Sequence, residues 1–80
     1  MPSPFPSLKA RQMLRILLGL GYEEVDREGS HRKLVCEGRP RLTFAFHDRD
    51  ELAPGVVRDI LVKQVGMGKD DALKVVQGDS

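Results

Sequence analysis

The sequence predicts an α+β domain: a helix, three short strands and a second helix, with both helices covering one face of an antiparallel sheet. Three observations lead there. Apolar residues recur at helical spacing over residues 8–19 and again over 54–66. They alternate one in two through the middle of the chain, as on a strand with one packed face. Breaks bearing glycine and proline separate the two regimes.

The elements follow in order. The opening MPSPFPS, residues 1–7, is expected to be extended and poorly packed because its prolines fix φ and remove donors. A single domain then occupies 8–80. Ser7 is the expected N-cap of a first helix from Leu8 to about Gly19. Ala10, Met13, Leu14, Leu17 and Leu20 fall on one side of it, and Gly19 and Gly21 supply the stop. YEEVDRE, SHRKLVCE and RLTFAFH read as three strands, the first with little pattern. In the second, Arg32, Leu34 and Cys36 share one face while His31, Lys33, Val35 and Glu37 share the other. In the third, Leu42, Phe44 and Phe46 form the apolar stripe. Pro54 suits the first turn of a closing helix, whose Val57, Ile60, Leu61 and Val65 recur up to Gly66. KDDALKVV adds a short C-terminal helix with acids at its start. Leu14, Leu17, Leu34, Phe44, Phe46, Ile60 and Leu61 are the expected core.

Composition narrows the function classes. With 80 residues, a net charge of +1 and 31% charged residues, the chain is an ordinary globular domain and lacks the overall charge of a strong nucleic-acid binder. The charge is uneven: residues 1–41 carry eight Lys/Arg against five Asp/Glu, residues 42–80 five against seven. Cys36 is the only cysteine, which rules out an internal disulfide and suits a reducing cytosol. The start lacks the apolar stretch of a signal peptide, and ILLGLGY is far too short to span a bilayer. A cytoplasmic location without a membrane partner is expected.

Strand parity then sorts the chemistry. Leu34 must lie on the same side as Phe44 and Phe46, and the tightest register that satisfies this joins Glu37 to Arg41 across Gly38-Arg39-Pro40. That register sets His31 opposite His47, on the open face; a shift of two residues would keep the faces. Ser30 and His31 are adjacent and point to opposite faces, so they do not form a nucleophile–base dyad. His47, Asp48 and Asp50 with His31 match no zinc signature, and no metal or cofactor is expected.

The ordered set LKARQMLRILLGLGYEEV, GSH in EGSHRKL, FAFH and ELAPGVVRDILVKQVGMG, over roughly residues 8–68, resembles the HicA family of small bacterial and archaeal toxins. The resemblance implies a double-stranded-RNA-binding-like α-β-β-β-α fold and metal-independent cleavage of mRNA. It also implies neutralisation by an antitoxin of the HicB family. The family's catalytic histidine corresponds to His31. Two features depart from the pattern: Ala45 stands where members often carry proline, and PSPFPS and KDDALKVVQGDS look like local additions.

Elementary chemistry agrees. The 2′-OH of RNA is itself a nucleophile, so the protein needs only to move protons and stabilise charge on phosphorus. Free histidine titrates near 6.5, close to working pH, which suits His31 and, as second proton carrier, His47. Lys33, two residues along the same face, is placed to stabilise the phosphorane. Arg27, Ser30, Arg32, Lys33, Arg39 and Arg41 are the candidate RNA contacts. Two other classes compete: a non-catalytic RNA-binding module of the same fold, and a protein-interaction scaffold.

Overall fold

A computed structural model describes residues 5–78. The elements run β1 (Leu8–Lys9), α1 (Ala10–Gly19), β2 (Glu23–Glu28), β3 (His31–Cys36), β4 (Arg39–Ala45), β5 (Glu51–Leu52), α2 (Pro54–Asp59) and α3 (Lys69–Gly78). The helix of α2 continues as a π-helical segment over Ile60–Gln64. β2, β3 and β4 form a three-stranded antiparallel sheet in that order, and β1 pairs with β5 in a separate two-stranded ladder. The expected α+β arrangement is therefore present, with the C-terminal helix as well.

Helix α1 begins two residues later than expected. Leu8 and Lys9 are held in the β1–β5 ladder, so Lys9 becomes the N-cap, and its backbone N–H donates to Gln12 Oε1 at 2.9 Å. Ser7 does not cap the helix; its Oγ donates to Glu51 Oε1 at 3.3 Å. At the other end, the Tyr22 N–H reaches Leu17 O and the Gly21 N–H reaches Leu18 O, the paired bonds of a Schellman stop. Gly21 makes this stop, while Gly19 is still helical.

The core gathers Met13, Leu17, Leu34, Phe44, Val57 and Leu61, each fully buried, so both helices lie on the sheet face carrying Leu34 and Phe44. Ile60 is buried as expected, but Leu14 and Phe46 are only partly so. Phe46 packs edge-on to Phe44, centroids 5.3 Å apart at 65°. The expectation of a poorly packed start fails at Phe5, which is 2% exposed within the core; residues 1–4 lie outside the described residues. β2 has all six residues exposed, which explains why its sequence shows no packed face.

The hairpin register is two residues away from the one expected. His31 pairs with Ala45, Lys33 with Thr43 and Leu34 with Leu42. The connection is the two-residue turn Glu37-Gly38, not the three-residue loop Gly38-Arg39-Pro40. Gly38, at φ 80° after Glu37, which is not at positive φ, supplies the positive φ that a type II turn requires at its second central position. Val35 then faces two β4 residues, Pro40 and Arg41, in a bulge. Pro40 is tolerated because β4 is an edge strand. The apolar faces stay as expected, because a shift of two preserves parity.

Candidate functional site

Gly29 and Ser30 are the two-residue turn between β2 and β3. Gly29 has φ 61° while Ser30 is not at positive φ, which is the signature of a type II′ hairpin turn with glycine first. The Nε of Arg27 donates to Gly29 O at 3.2 Å and braces the turn from within. The glycine and serine of the GSH stretch thus shape a hairpin tip, and His31 follows as the first residue of β3.

His31 is exposed on the open face, opposite Glu28 on β2 and Ala45 on β4. Among the described residues no side-chain hydrogen bond or ion pair engages it. Lys33 shares this face, but its Nζ lies 3.9 Å from Asp26 Oδ2. Thr43 and Ala45 fill the same face on β4. His47 is not the cross-strand neighbour of His31. It lies beyond the last residue of β4, where its N–H donates to Asp50 Oδ2 at 3.0 Å and its carbonyl accepts from the Asp50 N–H at 2.9 Å.

The side of the tip away from His31 is a concave groove of about 480 Å³. Arg27, Ser30, Arg32, Phe46, His47 and Arg49 line it, together with Asp48 and Gly29. Arg27 and Arg32 face each other across β2 and β3, on the same side as Phe44. The Arg32 side chain is only 14% exposed; its Nη2 lies 3.3 Å from Asp48 Oδ1 and its Nε 3.6 Å from Glu24 Oε1. The buried Nε has no hydrogen-bond partner, so the two carboxylates balance its charge without saturating its donors.

The six expected RNA contacts therefore do not form one surface. Arg27, Ser30 and Arg32 converge on the groove. Lys33 and Arg41 line a separate hollow of about 210 Å³ on the open face, with Val25, Val35 and Thr43. Arg39 sits at the opposite end of the sheet, next to Tyr22 and Cys36. There the Tyr22 hydroxyl donates to Pro40 O at 2.8 Å. Burial pushes its pKa above the ordinary value of 10.0, Cys36 adds to the rise and Arg39 opposes it. Among the described residues, no group of three or more His, Cys, Asp or Glu could hold a metal ion, so His31, His47, Asp48 and Asp50 do not gather into one. No helix among them is long and apolar enough to cross a membrane.

Sequence reasoning missed Lys9, Arg11 and Arg49. They line a second concavity of about 470 Å³ together with Asp48. The β1–β5 ladder and the bond from the Ala10 N–H to Asp50 O (2.8 Å) bring these distant positions together. Two-residue strands carry no readable period, so no signal in the sequence announces this.

Comparison with curated proteins and with solved structures gave no match. A family model described as the HicA toxin of bacterial toxin–antitoxin matches residues 10–67, well over half of the chain. The matched stretch runs from the first residue of α1 past the π-helical segment, and it contains the hairpin tip, His31 and the groove-lining His47. The chain belongs to the HicA family of toxins, the toxin side of bacterial toxin–antitoxin pairs.

Proposed function

We propose that this toxin is a metal-independent endoribonuclease that cuts mRNA in the cytoplasm, with His31 as the catalytic base. The observation that carries the reading is the exposed, unengaged imidazole of His31 at the start of β3, one residue from a tip whose other side is lined by arginines. His31 takes the proton of the 2′-OH as that oxygen attacks phosphorus. The bond from phosphorus to the 5′-oxygen breaks, leaving a 2′,3′-cyclic phosphate on one product. The 5′-oxygen leaves with a proton from water, since His47 lines the groove on the other side of the tip. Lys33 offsets charge on the phosphorane from the His31 face. An antitoxin of the HicB family would inhibit most directly by covering this open face.

The test is cleavage of single-stranded RNA by the purified chain in EDTA. The expected result is a 2′,3′-cyclic phosphate end, cutting abolished by His31→Ala and retained by His47→Ala. Cleavage that stops in chelator and returns with magnesium rejects the mechanism. Absence of cutting on any RNA favours the binding-only module.

A further inference from the structure

We infer that the RNA backbone is held on the groove side of the hairpin tip, by a phosphate track that runs from Arg27 past Arg49 to Lys9 and Arg11. The inference rests on the ribonuclease reading for the identity of the ligand, but its residues come from the surface itself. Both concavities are lined by Asp48 and Arg49, so they adjoin and form one channel across the end of the sheet.

The charge balance along this channel is one-sided. Asp48 is its one lining carboxylate among the described residues, and it is already engaged by Arg32 at 3.3 Å. Among the described residues, no carboxylate pairs with Arg27, Arg49, Lys9 or Arg11, and all four are exposed. Unpaired cations in a concave surface focus field and concentrate phosphate there. The route over the open face is the opposite case. It is bordered by β2, which brings Glu23, Asp26 and Glu28 to that face, and its Lys33 is already paired with Asp26. A polyanion approaching His31 is thus repelled from the β2 side and drawn in from the groove.

Phe46 gives the channel a second feature suited to RNA. Its ring is half-buried, held edge-on against Phe44, and still lines the groove. An apolar ring beside unpaired guanidinium groups is the pairing that single-stranded RNA needs, one for a base and the other for its phosphates. A duplex would not supply the unstacked base. The occupant is therefore a single strand that passes the Gly29–Ser30 tip, with the bond to be cut on the His31 side.

The salt dependence of binding tests this track. A fluorescein-labelled single-stranded RNA is titrated with the His31→Ala protein, which binds without cutting, between about 50 and 200 mM salt. Adding Arg49→Ala should weaken binding several-fold and reduce the slope of log K against log salt by about 0.7, the value for one lost phosphate contact on a single strand. Lys9→Ala with Arg11→Ala should reduce it by about twice that amount. Arg49→Lys should restore the slope, and Arg58→Ala, exposed on α2, should leave it unchanged. An unchanged slope in Arg49→Ala, or an equal loss in Arg58→Ala, overturns the track. If the wild type still cuts RNA in that event, the ribonuclease reading stands and only the track falls. If the wild type neither binds nor cuts RNA, both fall. Normal RNA binding by Arg49→Ala with lost antitoxin binding would assign the channel to protein and overturn the inference.

Discussion

Replacing Gly29 by alanine isolates the backbone geometry of the hairpin tip from everything that surrounds it. A Cβ built at Gly29 meets no atom within 4 Å, so the added methyl group causes no clash. What remains is the conformation: φ of 61° at the first position of a type II′ turn, a region that L-residues rarely enter. Holding alanine there costs about 1–2 kcal/mol. For a domain of this size each 1 kcal/mol lowers Tm by roughly 4–8 °C, so a fall of about 4–16 °C is expected.

Gly19→Ala is the matched control. That glycine is helical, its φ is not positive, and its new Cβ also meets nothing within 4 Å. Alanine there should raise stability by up to about 1 kcal/mol, because it reduces the freedom of the unfolded chain. Thermal melts of the two variants should therefore move in opposite directions. A synthetic chain with D-alanine in place of Gly29 should recover the loss, since D-residues prefer positive φ. Equal melting temperatures for the wild type and Gly29→Ala, or a parallel fall in Gly19→Ala, would refute the turn assignment and with it the structural reading of the GSH glycine.

Two further outcomes concern the sheet. Phe44→Ala removes a ring that is 2% exposed and also supports Phe46, and should cost about 3–5 kcal/mol in urea denaturation. Tyr22→Phe should cost about 0.5–1.5 kcal/mol at neutral pH by deleting the hydrogen bond to Pro40 O. Because the folded chain holds the Tyr22 proton above the ordinary value of 10.0, this contribution is complete below pH 10 and is lost as pH rises toward the folded pKa. The gap between wild type and Tyr22→Phe should narrow in urea midpoints from pH 10 upward, and a constant gap would contradict the buried-donor assignment.

Fold class and strand faces were legible because hydrophobic alternation fixes which side chains point inward. Leu34, Leu42 and Phe44 could only face the helices. Register was legible only to within two residues, since that shift leaves every face intact. The turn decided it, through Gly38 at φ 80° and a bulge that absorbs Pro40, and neither follows from hydrophobic pattern. The small ladder between Leu8–Lys9 and Glu51–Leu52 is too short to show a period, yet it carries half of the basic channel. Phe5 was hidden among prolines, which mark an extended path without saying where the one aromatic ring on it will land. Ser30, named as an RNA contact, does line the groove, but its more evident part is to complete the turn.

The corrected register changes what the hairpin tip has to do. With His31 and His47 opposed across two strands, one face would have carried both protons, and the arginines would have been accessory. Consecutive strand residues instead straddle the sheet, so His31 looks to the open face while Ser30 and Arg32, on either side of it in sequence, line the groove behind. A sheet of one layer is thin at its turn, and a two-residue turn is as narrow as a hairpin allows. A flexible single strand can bend around such an edge with its phosphates on one side and a 2′-OH on the other. A stiff duplex cannot make that bend cheaply. On the proposed reading the tip divides the work, with strand binding on one side and proton transfer on the other. The GSH stretch then has a physical order: glycine makes the turn possible, serine completes it, and histidine is the first side chain the emerging strand can present.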